Sequence, residues 1–543
     1  MSFTLNLKDL IEKRDQFLAA KIKLPDFDVK SLQENTLKHP VWMHMGTGNI
    51  FTGFIGSVAQ KLIDSGELDS GIIGLEVHSR DNLDKIVLPH DHLRLNVTLL
   101  PDGSSELEVL ASVCANLLVN GQAPHDEEQA RKAFANPSLQ LLSFTITEKG
   151  YALKDINGNF LPQIVQDFES GPYKCRSGMA ITAALLLERF NAGCYPITLL
   201  SMDNCSHNGS KLKDAVLEIA SQWVQRSLAP AAFIDYLKDE SKVAFPWSMI
   251  DKITPRPDPE IAKHLSLLGL LGMDPIKTSR GTFIAPFVNA EKPQYLVVED
   301  KFPGGRPPLE HAGVIFTSGE KVDLCERMKV TTCLNPLHTA LAVYGCLLGY
   351  DRIWKETEDP ELMKLVNILG YQEGLPVVED PKVLNPEDFL KEVITVRLPN
   401  RCLPDSPQRI ATDTSLKIPV RFGQTLKNYQ KRGLDSSKLT ALPLAIAGWL
   451  RYLMGIDDHG LAFELSDDPQ LPQLRKYLKD IKYGYPESVQ DRLHPILENE
   501  ALFGVDLYKA GLGSKIEEMF KEQISGPGSI RTTLIKYLGK DRT

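Results

Sequence analysis

The segment from Val41 to Gly56 reads VWMHMGTGNIFTGFIG and gives the clearest local signal in the chain. An apolar run typical of a buried strand leads directly into Gly46 and Gly48. In strand–turn–helix units that bind a dinucleotide, the first glycine permits a tight turn and the second lets the backbone approach a pyrophosphate. The helix that opens around Asn49 and Ile50 supplies N–H donors for the same anion. The segment therefore predicts a dinucleotide site at these four residues.

The rest of the signal is incomplete. Phe51 occupies the position of the usual third glycine, so a plain strand–helix turn remains an alternative. The next apolar run ends at Glu76, where an acidic residue typically accepts a hydrogen bond from a ribose 2′-hydroxyl and favours NAD over NADP. Arg80 would instead suit a 2′-phosphate, and a solvated strand-end pair is a third interpretation.

Length and charge exclude several classes of protein. The chain has 543 residues, 61 basic and 70 acidic, giving a net charge of −9, and 43% of its residues are hydrophobic. That much apolar material excludes disorder as the main state, and the acidic balance argues against binding to duplex nucleic acid. The length favours two domains. The sequence contains neither a secretory signal pattern nor an apolar run long enough to span a bilayer, so we expect no membrane partner.

The eight cysteines are scattered and form no Cys-x-x-Cys pair, which is typical of reduced thiols in a cytoplasmic protein. His90, Asp91 and His92 are the nearest approach to a metal-binding pattern. They have no partner cluster in the sequence, so we expect no metal site.

The order of predicted elements indicates an α/β fold. Short apolar strands alternate with helical segments between residues 41 and 316, which predicts a doubly wound parallel sheet. A breaker run at Lys301–Pro308 ends this pattern, and the remaining periodicity is mostly helical. We predict a helical extension at 1–40, an α/β domain at 41–316 and a mainly α-helical domain at 317–543. The predicted strands are Val41–Met45, Ile72–Val77, Leu141–Ile146, Ile197–Met202, Phe245–Ile250 and Tyr295–Val298.

A second signal lies between Glu326 and His338. Pro336 disfavours helical geometry at Asn335, so we expect a break with Asn335 as N-cap and Pro336 as the first helical residue. Glu326 and Lys329 are i,i+3 neighbours and could share a proton path, with Lys329 as a general base. A surface ion pair followed by a capped helix is the alternative.

Several ordered motifs over residues 41–460 resemble the mannitol dehydrogenase family of long-chain polyol and hexuronate dehydrogenases. Besides Gly46–Gly56 and Glu326–His338, the similar segments are Thr145–Tyr151, Ser201–Gly209, Phe245–Pro255, Val298–Pro307 and Ala447–Tyr452. Within that family, the segment from Ser406 to Pro419 is most similar to the fructuronate reductases.

The resemblance implies a Rossmann-type NAD-binding domain, a helical domain, an active site in the cleft between them and hydride transfer without a metal. By motif, Lys329 corresponds to the general acid/base, Asn204 and Asn335 to the amides that stabilise the developing alkoxide, and Glu326 to a proton relay. His338 and Asp251 correspond to residues that contact substrate. Arg409 suits a carboxylate clamp because guanidinium binds carboxylate bidentately, and Lys417 is a similar candidate; a structural ion pair is the alternative for both.

One departure concerns spacing. The family usually has four residues between the lysine and the asparagine, whereas five separate Lys329 from Asn335, so a bulge or a shifted break must absorb one residue.

The expected function is NAD-dependent interconversion of D-fructuronate and D-mannonate by a monomer or small homo-oligomer. A polyol 2-dehydrogenase acting on mannitol and fructose, a tagaturonate reductase, and a non-catalytic dinucleotide-binding redox sensor are the alternatives.

Overall fold

The computed structural model describes residues 2–539 and divides into two compact units. The first comprises residues up to Leu100 together with Ser104–Asp323, and the second comprises Pro101–Gly103 and the chain from Leu324 onward. Met1 and residues 540–543, the ends of the predicted first and last segments, lie outside the described residues. We retain the division into 1–40, 41–316 and 317–543 as a proposal.

The first unit is built on a six-stranded parallel sheet. Its strands, numbered along the chain, follow the order β6-β5-β4-β1-β2-β3, the order of a doubly wound sheet whose direction of growth reverses beside the first strand. Ligands bind at such a reversal, outside the carboxyl ends of the strands. The strands are β1 (Trp42–Met45), β2 (Ile72–Glu76), β3 (Val113–Leu118), β4 (Leu141–Phe144), β5 (Ile197–Ser201) and β6 (Val243–Ala244).

Alternate side chains of β1 enter two separate cores, as the two-residue period of a strand requires. Met43 and Met45 pack in one core, while Trp42 packs in the other. A strand buried on both faces has no polar–apolar alternation, which explains why these segments are continuous apolar runs. The helices that supply residues to the two cores include α1 (Ser57–Asp64), α2 (Pro124–Ala135), α3 (Gly178–Gly193) and α4 (Asn208–Gln225).

The prediction was wrong for two members of the sheet. Ser248–Asp251 and Tyr295–Glu299 pair antiparallel with each other in a separate three-stranded sheet completed by Ile315–Thr317. Both are short apolar runs, and hydrophobicity alone does not distinguish membership of one sheet from another. The strands β3 and β6 were not predicted. A four-stranded sheet was also missed, in the order Phe287–Glu291, Arg94–Leu99, Ser105–Leu110 and Ile22–Lys23.

The N-terminal segment is integrated into the first unit. The predicted helical extension contains three helices, Leu7–Glu12, Arg14–Ala19 and Val29–Lys38. Before the first helix, Phe3–Thr4 pairs with Leu270–Leu271, and between the second and third, Ile22–Lys23 joins the four-stranded sheet.

The second unit is mainly helical, as predicted. Helix α5 (Gly319–Met328) leads into it, a π-helical segment follows at Lys329–Cys333, and α6 (Asn335–Leu348) and α7 (Ala441–Tyr452) are its longest apolar helices. Its other α-helices are Ile353–Glu356, Pro360–Asn367, Pro386–Glu392, Pro407–Ala411, Thr414–Ile418, Gln424–Lys431, Leu471–Leu478, His494–Leu497, Glu500–Phe503, Gly513–Gln523 and Ser529–Leu538. Further π segments lie at Ile368–Gly374, Val393–Arg397 and Pro419–Gly423.

Within residues 2–539, no helix is both long and apolar enough to cross a bilayer. All eight cysteines lie in this range, and each is a free thiol.

Candidate active site

The turn after β1 requires glycine at its first position. Gly46 has a φ of +103°, and a Cβ added there would lie 2.5 Å from the carbonyl oxygen of Thr145. At Gly48 the reverse holds, because no atom lies within 4 Å of an added Cβ. The turn therefore packs against β4's continuation on one side and leaves the backbone open at the next glycine, as the approach of a pyrophosphate requires.

A chain of hydrogen bonds between side chains of β1 and of β4 and its continuation holds this turn in place. The Trp42 indole N–H donates to Ser143 Oγ at 2.7 Å, and the Ser143 hydroxyl donates to His44 Nδ1 at 2.6 Å. His44 Nε2 then donates to Thr145 Oγ1 at 2.9 Å, and Thr145 donates to the Gly46 carbonyl at 2.9 Å. This direction requires a neutral imidazole, and burial lowers the pKa of His44 to about 3.

The aromatic residue at the position of the third glycine has a packing role. Phe51 is buried and stacks on His44 with ring centroids 4.3 Å apart. It begins a π-helical segment, Phe51–Gly56, that continues into α1. Asn49 and Ile50 are helical residues directly before the π segment, and the Asn49 amide donates to the Pro255 carbonyl at 3.3 Å.

Glu76 is held beside the same turn. It ends β2, and its carboxylate accepts from Thr47 Oγ1 at 2.7 Å and from the His78 amide at 2.8 Å. The Arg80 guanidinium binds Asp84 instead, through three contacts of 3.1–3.2 Å. The end of β2 thus presents the Glu76 carboxylate in a fixed orientation, whereas Arg80, the candidate for a 2′-phosphate contact, is bound by Asp84.

Asn204 lies in a rigid loop after β5. The neighbouring Asp203 is buried, accepts a hydrogen bond from the Tyr151 hydroxyl, and has a pKa raised mainly by burial. Asn208 donates to the carbonyls of Ser201, Asp203 and Ser248 at 3.2–3.4 Å. These contacts hold the loop on both sides of Asn204, whose own side chain is at the surface of the unit.

Asp251 ends the antiparallel strand that was misassigned to the parallel sheet, and it is 7% exposed. Among residues 2–539, no group of three or more His, Cys, Asp or Glu side chains is arranged to hold a metal ion.

In the second unit, a π-helical turn absorbs the extra residue between Lys329 and Asn335. Helix α5 becomes π-helical at Lys329–Cys333, and the Leu334 amide donates to the Lys329 carbonyl, five residues back. One inserted residue is what converts an α turn to a π turn, so the residues beyond it keep their former helical face. The expected cap was wrong by one residue: Leu334 is the N-cap, Asn335 is the first helical residue and Pro336 the second, since proline is tolerated throughout this unbonded first turn.

Lys329 is 7% exposed, and Glu326 lies one turn earlier on α5 and is half-buried. The carbonyl of Thr331, inside the π segment, accepts from the Thr425 hydroxyl at 3.1 Å. A side chain from another helix thus supplies a hydrogen bond to a backbone carbonyl inside the π segment.

His338 lies one turn into α6 with a buried Nε2 that has no hydrogen-bond partner among the described residues. The Asp405 carboxylate is 3.8 Å from this atom, too far for a hydrogen bond. Burial lowers the pKa of His338 to about 4, with Asp405 opposing that shift. The imidazole is therefore neutral at pH 7 and has one nitrogen available to a ligand.

The two proposed carboxylate-binding residues have protein partners. Arg409 pairs with Asp405 and is 62% exposed. Lys417 donates to the carbonyls of Ile410 and Thr412, and its pKa is lowered by burial first and by Arg421 next.

Sequence reasoning missed Arg397, Asp405 and Arg421. The pKa of His338 responds to all three as well as to Arg409, which places them around one imidazole. Arg421 lies only four residues beyond Lys417, and a search for cations near that lysine would have found it.

A doubly wound sheet with an open glycine turn and an acidic residue at the end of its second strand defines a Rossmann-type dinucleotide-binding unit. Comparisons with known proteins extend the assignment beyond this unit. The family model for the mannitol dehydrogenase Rossmann domain matches residues 41–311, and the model for the mannitol dehydrogenase C-terminal domain matches residues 321–524. The chain belongs to the mannitol dehydrogenase family.

Three relatives illustrate its range. The chain is 51% identical to a D-mannonate oxidoreductase of Thermotoga maritima, over 98% of this chain and 99% of the relative. It is 29% identical to a polyol:NADP oxidoreductase of Gluconobacter oxydans, over 85% and 88% of the two chains. The structure of Pseudomonas fluorescens mannitol 2-dehydrogenase, a ternary complex with NAD and D-mannitol, is 26% identical with a TM-score of 0.69 and covers 99% of this chain and 100% of that one.

Proposed function

We propose that this protein is an NAD-dependent oxidoreductase that interconverts D-fructuronate and D-mannonate. The observation that carries the proposal is the 51% identity, over nearly the full length of both chains, to a D-mannonate oxidoreductase. An identity of 28–29% to mannitol and polyol oxidoreductases supports only the broader class, which acts on CH–OH groups.

The glycine turn fits NAD. Gly46 and Gly48 would hold the pyrophosphate with the amides around Asn49 and Ile50, and Glu76 would accept from a ribose hydroxyl. The carboxylate of Glu76 is already oriented by Thr47 and His78, and it would repel a 2′-phosphate. When bound, the reduced cofactor supplies the hydride for the substrate carbonyl.

Proton transfer and stabilisation of the developing alkoxide fall to lysine, glutamate and asparagine side chains. Lys329 donates a proton to the carbonyl oxygen during reduction and accepts it during oxidation, with Glu326 as its relay. The amides of Asn204 and Asn335 stabilise the negative charge that develops on that oxygen. A lysine ammonium in this role does the work of a Lewis acid, so the proposal involves no metal.

The substrate is held by neutral and charged groups. His338 Nε2, which has no hydrogen-bond partner among residues 2–539, is suited to a substrate hydroxyl, and Asp251 is a second contact. Arg409 and Lys417 would attract the carboxylate of a sugar acid. We further propose that the enzyme works in the cytoplasm as a monomer or small homo-oligomer; eight free thiols are consistent with a reducing compartment.

The test is oxidation of NADH, followed by its near-ultraviolet absorbance, with fructuronate, tagaturonate, fructose and fructose 6-phosphate as separate substrates. We expect turnover with fructuronate to exceed that with each of the others, and NADH to be preferred to NADPH.

Turnover of fructose in preference to fructuronate would contradict the proposal and place the protein among the polyol dehydrogenases. Binding of NADH without turnover of any substrate would contradict it in favour of a redox sensor.

A further inference from the structure

We infer that Arg421 binds the carboxylate of the substrate and thereby selects sugar acids over uncharged sugars; this inference rests on the proposed function. From the sequence, only Arg409 and Lys417 are candidates for this role, whereas the structure also places Arg421 near His338.

Arg409 and Lys417 already have protein partners. Arg409 is neutralised by Asp405, and Lys417 gives two of its three hydrogens to backbone carbonyls. The hydrogen bond of Arg421 within the described residues is to the hydroxyl of Thr339, which is uncharged. A guanidinium has five N–H donors, so most of those on Arg421 remain available for a ligand.

Arg421 is half-buried, and loss of solvent lowers its pKa to about 10. A half-buried cation with no counter-ion within reach among residues 2–539 has lost part of its hydration, and a bound anion would replace that lost solvation. A carboxylate supplies two oxygens in the plane that a guanidinium matches.

Arg421 is tied to the helix that carries Asn335 and His338. The Thr339 hydroxyl donates to the Asn335 carbonyl at 2.9 Å, so its oxygen accepts from Arg421. This bond ties the guanidinium to the first turn of α6, which carries Asn335 and His338. The π segment of Arg421, Pro419–Gly423, also packs against the π segment that begins with Lys329. Arg421 is therefore anchored beside the proposed acid/base segment.

Together these observations distinguish the cations. Arg409 is exposed and already paired with Asp405, whereas Arg421 is half-buried, has no counter-ion among residues 2–539 and forms the charged contact in the bound state. A ketose that ends in a hydroxyl instead of a carboxylate would leave Arg421 unneutralised.

The test compares Arg421→Gln with wild type on fructuronate and on fructose, with Arg475→Gln, an exposed arginine of the helix Leu471–Leu478, as control. In Arg421→Gln we expect kcat/KM for fructuronate to fall about 100-fold, mainly through KM, because a buried charged contact is lost. The activity on fructose should change less than about threefold, since fructose never makes that contact.

Two further measurements separate binding from folding. Arg421→Lys keeps the charge without the planar fork, so its KM for fructuronate should lie between those of wild type and the glutamine variant. Added guanidinium should partly restore the fructuronate activity of Arg421→Ala, which a general loss of packing would not allow.

Equal losses on fructuronate and fructose, or no loss on fructuronate, would overturn the inference. Failure of the proposed function is a different outcome, because wild-type enzyme would then show no preference for fructuronate at all.

Discussion

The two units build their candidate sites by opposite means. In the first, the turn at Gly46 is set by backbone conformation and by a saturated chain of hydrogen bonds from Trp42 to the Gly46 carbonyl. In the second, Lys329 and Arg421 lie on π-helical turns, and His338 Nε2 and most donors of Arg421 have no protein partner among residues 2–539. A cofactor common to many enzymes can be bound by a backbone of fixed conformation. A particular substrate instead requires side chains whose free hydrogen-bonding groups pair only when that substrate binds.

The largest effect should follow a change at Lys329. We expect Lys329→Met to lower kcat for fructuronate about 10³-fold, because general acid catalysis contributes about 10²–10⁴-fold. Steady-state kinetics would measure the loss. The neighbouring exposed Lys321→Met is the matched control and should retain its kcat. A kcat above a tenth of the wild-type value would remove Lys329 from the role of proton donor.

The next largest effect concerns the glycine turn. Gly46→Ala places a Cβ against Thr145 at a φ of +103°, and strain of this kind costs about 1–3 kcal/mol. We expect the dissociation constant for NADH to rise about 30-fold, as measured by fluorescence titration.

Gly66→Ala is the control for the φ penalty alone, since Gly66 has a φ of +74° with no atom within 4 Å of an added Cβ. If Gly66→Ala weakened NADH binding as much as Gly46→Ala, the effect would not come from the turn.

The site set by backbone conformation can be predicted from the sequence more fully than the site that depends on side-chain partners. Gly46, Gly48 and Glu76 can be predicted from the sequence because each position calls for one residue type after a predicted strand: glycine in the turn and an acidic residue at the end of the next strand. The π turn after Lys329 cannot be, because no residue type specifies it and it appears only as an unexplained extra residue. Arg421 was missed because its significance depends on burial and on the partners of Arg409 and Lys417. Strand β3 was missed because the polar Asn116 interrupts its apolar run, and β6 because it has only two residues.

A smaller effect is expected from shortening the π turn. Deletion of half-buried Val330 would restore four residues between Lys329 and Asn335 and convert the π turn to an α turn. Because the downstream face is kept, we expect kcat/KM for fructuronate to stay within about tenfold of wild type. Insertion of alanine after Val330 is the comparison and should be far more damaging. Loss of activity equal to that of Lys329→Met would show that the π turn itself is required.

The smallest effect concerns acid stability. The folded-state pKa of His44 is lowered to about 3, so from pH 6.5 down to about pH 3 the unfolded chain takes up a proton that the folded protein does not. This one group should reduce the free energy of unfolding by about 1.4 kcal/mol per pH unit below 6.5. In urea denaturation, the free energy of unfolding of His44→Asn should fall less between pH 6.5 and pH 5 than that of wild type. Equal falls in both proteins would mean that His44 is not a neutral member of the hydrogen-bond chain that ends at the Gly46 carbonyl.

The division of labour between the two units is tested most directly by measuring NADH affinity and turnover side by side in wild type, Gly46→Ala and Lys329→Met. The account predicts that Lys329→Met binds NADH within about twofold of wild type while losing turnover, because its defect lies in proton transfer. It predicts that Gly46→Ala recovers most of its turnover at saturating NADH. If Lys329→Met lost NADH binding, or if Gly46→Ala stayed inactive at saturation, the separation of cofactor binding from proton transfer would be contradicted.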